Sequence, residues 1–510
     1  MVDRDSNVAA DDIEHPADES TSLLHVSLPY VDHEISKRDT REPYILAAIK
    51  ELKWMTSSSF LTAFALLLQQ VIIFIDVVSV GHIGATELAA MTLAGTCFGV
   101  IALAPSTGMM SAMETFCSNA FTASHDKTAV GFHFQRGVIA VLVHMTFAIP
   151  IMWNGERILL AINQEPRVAE LSGQYLRIQT LGIVPLSIFE ACKCYLQSQE
   201  IMRGGTVVLL FVVPIHVAVN YLLVRSPTYG IGFRGAAIGD VFSECLMLVG
   251  ILIYIRRSRA VETWGGWDSK ALSNMFEFYR LAIPAVITVC SEWICFELLN
   301  IGSSYFGTKQ LAATAITINT GALAYQISNG LGYSTSPRIG NLIGDGKPRQ
   351  ARIACDMAVL VAVGTGTLCL LFLMLCGRWW ISVYTNDPEV VRETLKLMPV
   401  FCGFIICDAL NAVLNSVMRG LGRQIVGAGS FIFSYYCIAV PLGLYLGYTK
   451  NMQARGLWLS ISIAVIFSSL VQFAYAYMWV NWKDEVRRCL VRLQRSRGGQ
   501  DEVSNNAGNL

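Results

Sequence analysis

The chain has 510 residues, 53% of them apolar and 15% charged, whereas a soluble domain carries roughly 25% charged residues. Only 48 of its 76 charged residues fall in the 429 residues from Trp54 to Trp482, which excludes an ordinary soluble protein and marks that stretch as membrane-embedded. Lys plus Arg equals Asp plus Glu at 38 each, and no basic stretch is interleaved with aromatics, so nothing supports a nucleic-acid surface.

In chain order, residues 1–36 hold nine acidic residues and one basic one with no apolar core, so no cleaved signal peptide is expected and residues 1–50 read as a disordered acidic tail. Within it, Glu19-Ser-Thr-Ser-Leu23-Leu24 resembles the acidic dileucine signal of vacuolar and lysosomal cargo. A transmembrane helix needs about 20 mostly apolar residues. Twelve such runs follow, near 55–80, 89–121, 132–153, 168–198, 205–225, 234–255, 278–305, 311–337, 353–376, 391–418, 424–447 and 455–481. The 14 cysteines form no CxxC pair and mostly lie in these runs, as packing residues do.

Loop charge sets the expected orientation. With both tails in the cytosol, the cytosolic segments hold 25 Lys and Arg against ten opposite. The basic residues 483–510 then lie beside anionic headgroups or form a solvated extension.

The halves repeat at an offset of about 220 residues. Gly84-Ala-Thr-Glu-Leu88-Ala-Ala matches Gly307-Thr-Lys-Gln-Leu311-Ala-Ala, Ser118-Asn119 matches Gly340-Asn341, and Tyr195-Leu-Gln-Ser198 matches Val413-Leu-Asn-Ser416. The fold class expected is an all-α integral membrane protein of twelve helices in two pseudo-symmetric six-helix lobes, residues 51–260 and 261–482. Such parallel repeats are typical of secondary transporters.

Ionisable residues inside spans are costly and are functional candidates. Span seven carries Glu292 and Glu297, five apart and about 140° around the helix. Span ten adds Asp408, with Asn411 and Asn415 at i+3 and i+7, and span eight supplies Asn319, Tyr325 and Gln326. If these helices pack together they line a polar cavity where a proton and an organic cation would compete, as antiport requires. The first half offers Gln69, Gln70 and Asp76 in span one, Glu190 and Lys193 in span four, and Asn220 in span five. At the repeat offset Gln69 falls opposite Glu292, and Glu190 opposite Asp408. A structural i,i+3 ion pair is the simpler reading of Glu190 and Lys193. Exposure at the cavity mouth is an open alternative for Asp76. His144 and His216 read as packed, hydrogen-bonded histidines, and Glu114, Asp240, Glu244 and Asp356 as solvated or capping residues near helix ends.

These segments resemble the multidrug and toxin extrusion (MATE) family, in its eukaryotic branch, from about residue 50 to 482. The resemblance rests on Val80-Gly-His-Ile-Gly-Ala-Thr-Glu-Leu88, Ala112-Met-Glu-Thr-Phe-Cys-Ser-Asn-Ala-Phe121, Glu292-Trp293 with Phe296-Glu297, Arg338-Ile-Gly-Asn-Leu-Ile-Gly344 and Met418-Arg-Gly-Leu-Gly422. It implies two lobes in a V and a proton-coupled antiporter of organic cations or metabolites, with the family's acidic positions falling on Glu292, Glu297 and Asp408. The bacterial branch's span-one aspartate would fall on Asp76. Asn319 stands where mammalian members carry a glutamate, which points to a less cationic substrate. No cofactor is expected beyond the coupling ion, with sodium left open beside the proton. A monomer in the vacuolar or plasma membrane is expected.

Four other readings compete. A lipid-linked glycan flippase needs a basic groove, yet Arg177 and Lys193 are the clearest basic residues inside the spans. A membrane enzyme should show HxxxxD or DDxxD, and neither occurs. Gly340 to Pro348 lacks the glycine spacing and hydroxyl residue of a phosphate loop, against ATP-driven transport. A non-transporting receptor or scaffold leaves Glu292 and Asp408 unexplained.

Overall fold

The computed structural model describes residues 42–497 apart from residue 125; the dileucine and most of the acidic tail lie outside the described residues. Twelve helical spans alternate in direction: α1 (Tyr44–Gly81), α2 (Ala85–Ala123), α3 (Ala129–Trp153), α4 (Pro166–Gln179 continued by Ile183–Ser198), α5 (Arg203–Arg225), α6 (Phe233–Arg257), α7 (Met275–Ser304), α8 (Thr308–Gly344), α9 (Pro348–Tyr384), α10 (Pro388–Leu421), α11 (Gln424–Thr449) and α12 (Gln453–Trp479). A final helix, α13 (Trp482–Arg497), follows. No strand occurs among the described residues, since a backbone crossing lipid must satisfy its polar groups within the helix.

Ten of the twelve are long and apolar enough to cross a membrane by length and composition. The two exceptions have physical reasons. α4 is interrupted at Thr180–Gly182, and α8 has 37 residues but is diluted by Asn319, Gln326, Asn329 and a run of Ser and Thr. The structure also lengthens the expected spans. α1 starts at Tyr44 instead of near residue 55, and its first turns place Ala47 and Ala48 against Ile353 of α9. Asp356 of α9 accepts hydrogen bonds from Tyr44 Oη at 3.0 Å and Tyr477 Oη of α12 at 2.8 Å.

Packing follows the duplication. The lobes α1–α6 and α7–α12 meet mainly through α1 on α8 and α2 on α7, a pair of contacts that exchange when one half is swapped for the other. The hydrophobic cores are not equivalent, however. One runs through the first lobe and continues into the terminus-side ends of α7, α8, α9, α10 and α13, with Phe278, Ile339, Ala354, Val417 and Val486 among its members. The other is confined to the distal half of the second lobe, around Leu299, Phe401, Phe404 and Trp458. The lobes therefore share a dry core only on the side bearing the described chain ends.

Two close backbone approaches between the lobes fall on that same side. A Cβ on Gly330 of α8 would stand 2.5 Å from Ala63 backbone atoms of α1, and one on Gly340 would collide with Ser118 Oγ of α2. Thr62 Oγ1 donates to Gly330 O at 2.6 Å, and Thr122 Oγ1 to Asn341 O at 2.7 Å. Ser118 and Gly340 are repeat equivalents, so the pseudo-twofold axis passes beside them. Arg338 of α8 adds a polar clasp: its Nε and one terminal nitrogen donate to the Glu51 carboxylate at 3.0 and 2.6 Å, and the other donates to Glu200 at 2.6 Å. Its guanidinium lies 4.8 Å over the Trp54 ring.

α13 is not a solvated extension. Trp482, Val486, Cys489 and Leu493, spaced along one helical face, are buried against the shared core, while Lys483 and Arg488 face outward. Glu485 accepts from Arg423 Nη2 at 2.7 Å, and Arg492 Nη2 donates to Leu421 O at the end of α10. All 14 cysteines are free.

Candidate functional site

The carboxylates of the second lobe sit midway along their helices, where the two hydrophobic cores part. Glu292 of α7 is 8% exposed and accepts a hydrogen bond from Tyr325 Oη of α8 at 3.3 Å. Asp408 of α10 is 7% exposed and lies close enough to Glu292 for their charges to interact. Asn411 is buried one turn further along α10, its Oδ1 taking a hydrogen bond from Gln472 Nε2 of α12 at 3.0 Å. α7, α8 and α10 thus bring Glu292, Tyr325, Asp408 and Asn411 together, as the sequence spacing suggests.

Two other expected members stand apart. Glu297 is half-buried near Cys97 of α2, on a different face of α7 from Glu292. Asn319 is exposed, six residues or about 240° around α8 from Tyr325. It shares its face with Gln326, whose Nε2 lies 3.5 Å from Gln70 Oε1 of α1. Trp293 lays its indole on Gly99, with 2.8 Å to a Cβ placed there, at a π-type turn (Gly99–Leu103) inside α2. A larger residue at 99 would displace that ring.

The first lobe holds a triad at the equivalent place. Gln69 Nε2 donates to Glu190 Oε1 at 2.8 Å, and Lys193 Nζ donates to both Gln69 Oε1 at 3.0 Å and Glu190 Oε1 at 2.9 Å. Offsets of 223 and 218 residues carry Gln69, Glu190 and Lys193 onto Glu292, Asp408 and Asn411. The ion pair expected for Glu190 and Lys193 is present, and Gln69 belongs to it, not to the carboxylates of the second lobe. A small cavity between α1, α4, α5 and Tyr333 of α8 adjoins this triad.

A further cluster corrects the sequence reading. Asp76 is 3% exposed, not open at a mouth. It accepts from Asn220 Nδ2 of α5 at 2.5 Å, and its Oδ1 lies 3.3 Å from His216 Nε2. Asp240 of α6 accepts from Tyr175 Oη, and Glu244 accepts from Gln179 Nε2 at 2.6 Å. Neither caps a helix end. His216 Nδ1 lies 2.8 Å from Ser243 Oγ, which is also 2.9 Å from Gly239 O. Oxygens of Asp76 and Asp240 and a nitrogen of His216 all lie within 4.8 Å of one another, near enough to share a cation. The i,i+4 pairs His216/Asn220 and Asp240/Glu244 were the sequence signal for this cluster, because each places two polar groups on one helical face.

Glu114 and Asp356 also depart from a solvated role. Glu114 is fully buried in α2, and Asp356 carries the two tyrosine hydrogen bonds described above.

A family model described as MatE matches this chain twice, over residues 62–222 and 284–445. An uncharacterized transporter of Schizosaccharomyces pombe is 33% identical over 85% of this chain and 80% of its own length. Multidrug and toxin extrusion protein 2 of Mus musculus is 30% identical over 84% of this chain and 74% of its own. The crystal structure of the eukaryotic MATE transporter AtDTX14 superposes with a TM-score of 0.81 at 24% identity, covering 88% of this chain and all of that one. With the twofold match lying on two helical lobes, the chain belongs to the multidrug and toxin extrusion family of membrane transporters.

Proposed function

We propose that the protein is a proton-coupled antiporter exporting organic cations from the cytosol, with both chain ends cytosolic and with Glu292 and Asp408 as the site where proton and substrate alternate. The observation that carries this reading is the asymmetry between the lobes. In the first, Glu190 has a built-in counter-charge in Lys193. In the second, neutral Asn411 stands at that position, and two buried carboxylates lie within reach of each other's charge, one of them bonded by a tyrosine hydroxyl. Buried like charges of that kind require a proton or a cation. A substrate cation and a proton therefore exclude each other there, and each proton entering down a tenfold gradient supplies about 1.4 kcal/mol. The name of the Mus musculus relative is consistent with a broad range of organic substrates.

A flippase reading is disfavoured by the basic residues within the spans. Lys193 is bonded to Glu190 and Arg177 to Glu156, which leaves neither for a pyrophosphate.

The experiment is uptake of a fluorescent organic cation into proteoliposomes under an imposed pH gradient, comparing the full chain with Glu292→Gln and Asp408→Asn. Gradient-driven transport lost in either variant supports the reading. Undiminished transport in both defeats the site assignment. The second reading then takes its place: coupling through Asp76, favoured by its buried cluster with His216 and Asp240, and tested by Asp76→Asn in the same assay.

A further inference from the structure

A second anomaly lies on the terminus side, at the meeting of α2, α8 and α10. Glu114 of α2 is 0% exposed and makes no close ion pair; its carboxylate has only the neutral Ser336 hydroxyl of α8 beside it. Arg419 of α10 is 9% exposed, its Nε is without a partner, and its Nη2 donates only to the neutral Ser416 Oγ at 2.7 Å. The two charges are near enough to interact, with Ser336 of α8 beside both: a Cβ on Gly420 would touch Ser336 O at 2.7 Å. The neighbouring residues fasten the lobes together, since Thr115 Oγ1 donates to Arg419 O at 2.8 Å and accepts from Gln424 Nε2 at 3.0 Å. A buried carboxylate and a buried guanidinium, each lacking a tight partner, are too costly to be incidental packing.

We propose that Glu114 and Arg419 form a charge latch between the lobes, which holds the terminus side shut in this conformation and separates when that side opens. Glu114 travels with the first lobe and Arg419 with the second. Once parted, Arg419 remains within electrostatic reach of Glu292, the buried carboxylate on its own side. The latch would thereby trade one counter-ion for another; this last step rests on Glu292 being the coupling carboxylate, whereas the latch itself does not.

The test is amide hydrogen exchange of the full chain in nanodiscs, without substrate, read over residues 108–123 of α2 and 330–344 of α8. Glu114→Gln and Arg419→Gln should each speed exchange there on the order of tenfold, because each leaves the other charge buried and alone. The double variant should fall well short of the product of the two effects. Arg419→Lys, which keeps the charge, should stay within about twofold of the parent. Independent multiplicative effects, or no change in the single variants, would overturn the latch. If Arg419→Gln does not fold, a Glu114→Gln rate equal to the parent overturns it alone. No transport enters the measurement, so its outcome is separate from that of the Glu292 assay.

Discussion

Lys193 and Asn411 occupy equivalent positions in the two lobes, and only Lys193 carries a charge. The consequence can be tested by transplanting it. Asn411→Lys places an ammonium beside Asp408 and supplies internally what a substrate cation would bring. Gradient-driven uptake in proteoliposomes should fall at least tenfold while the protein still folds, since a tethered charge out-competes a diffusing one. Undiminished uptake would show that the neutrality of residue 411 has no bearing on transport.

The reverse change should act on stability. Lys193→Asn leaves Glu190 with Gln69 alone. Because Glu190 keeps about a quarter of its side chain accessible, with 24% exposed, the loss should be about 2 kcal/mol, less than for a fully buried pair. It should appear as a drop of several degrees in the melting temperature of the solubilised protein.

Gly330→Ala should shift the balance between conformations. The added methyl would stand 2.5 Å from the Ala63 backbone, which no side-chain rotation can relieve, so the terminus-side closure must loosen at a cost of about 1–3 kcal/mol. Distances between spin labels on α1 and α8 should lengthen on that side. An unchanged distribution would mean that the backbone yields locally instead.

Arg338→Ala should weaken the same closure by a different route, since it removes a fork to Glu51, a bond to Glu200 and a stacked indole at once. Arg338→Lys should rescue it poorly, because an ammonium cannot grip a carboxylate with two parallel bonds. Limited proteolysis in the loops between α2 and α3 and between α8 and α9 measures the difference.

Glu485→Ala should detach α13 only partly, because Trp482, Val486 and Cys489 remain buried, whereas Val486→Asp should release it. Thiol labelling of Cys489, 1% exposed in the docked helix, should be slow in the parent and Glu485→Ala and fast in Val486→Asp.

Apolar run length and the 220-residue repeat were enough to read the two-lobe helical architecture, because lipid imposes one solution on each crossing segment. The grouping of Glu292, Tyr325, Asp408 and Asn411 was legible for a related reason: polar groups within apolar runs must face one another. The Asp76 cluster was not. Its parts come from α1, α4, α5 and α6, and its histidine looked like a packing residue because nothing in one helix reveals what another brings to it. Glu114 and Asp240 were misread because distance from a span's end was taken to measure depth. A neighbouring helix covers residues that close to the membrane face, from the other lobe at Glu114 and from the same lobe at Asp240. α13 is hard to read as a docked element because its six apolar residues are scattered through a strongly basic stretch.

The first turns of α1 rest on α9, and Tyr44 shares the Asp356 carboxylate with Tyr477, while the remainder of α1 belongs to the first lobe. One long helix is thus fastened at its foot to the second lobe and along the rest of its length to the first. Any rotation of one lobe against the other would have to flex α1 between Ala48 and Ala63 or pull that foot away from α9.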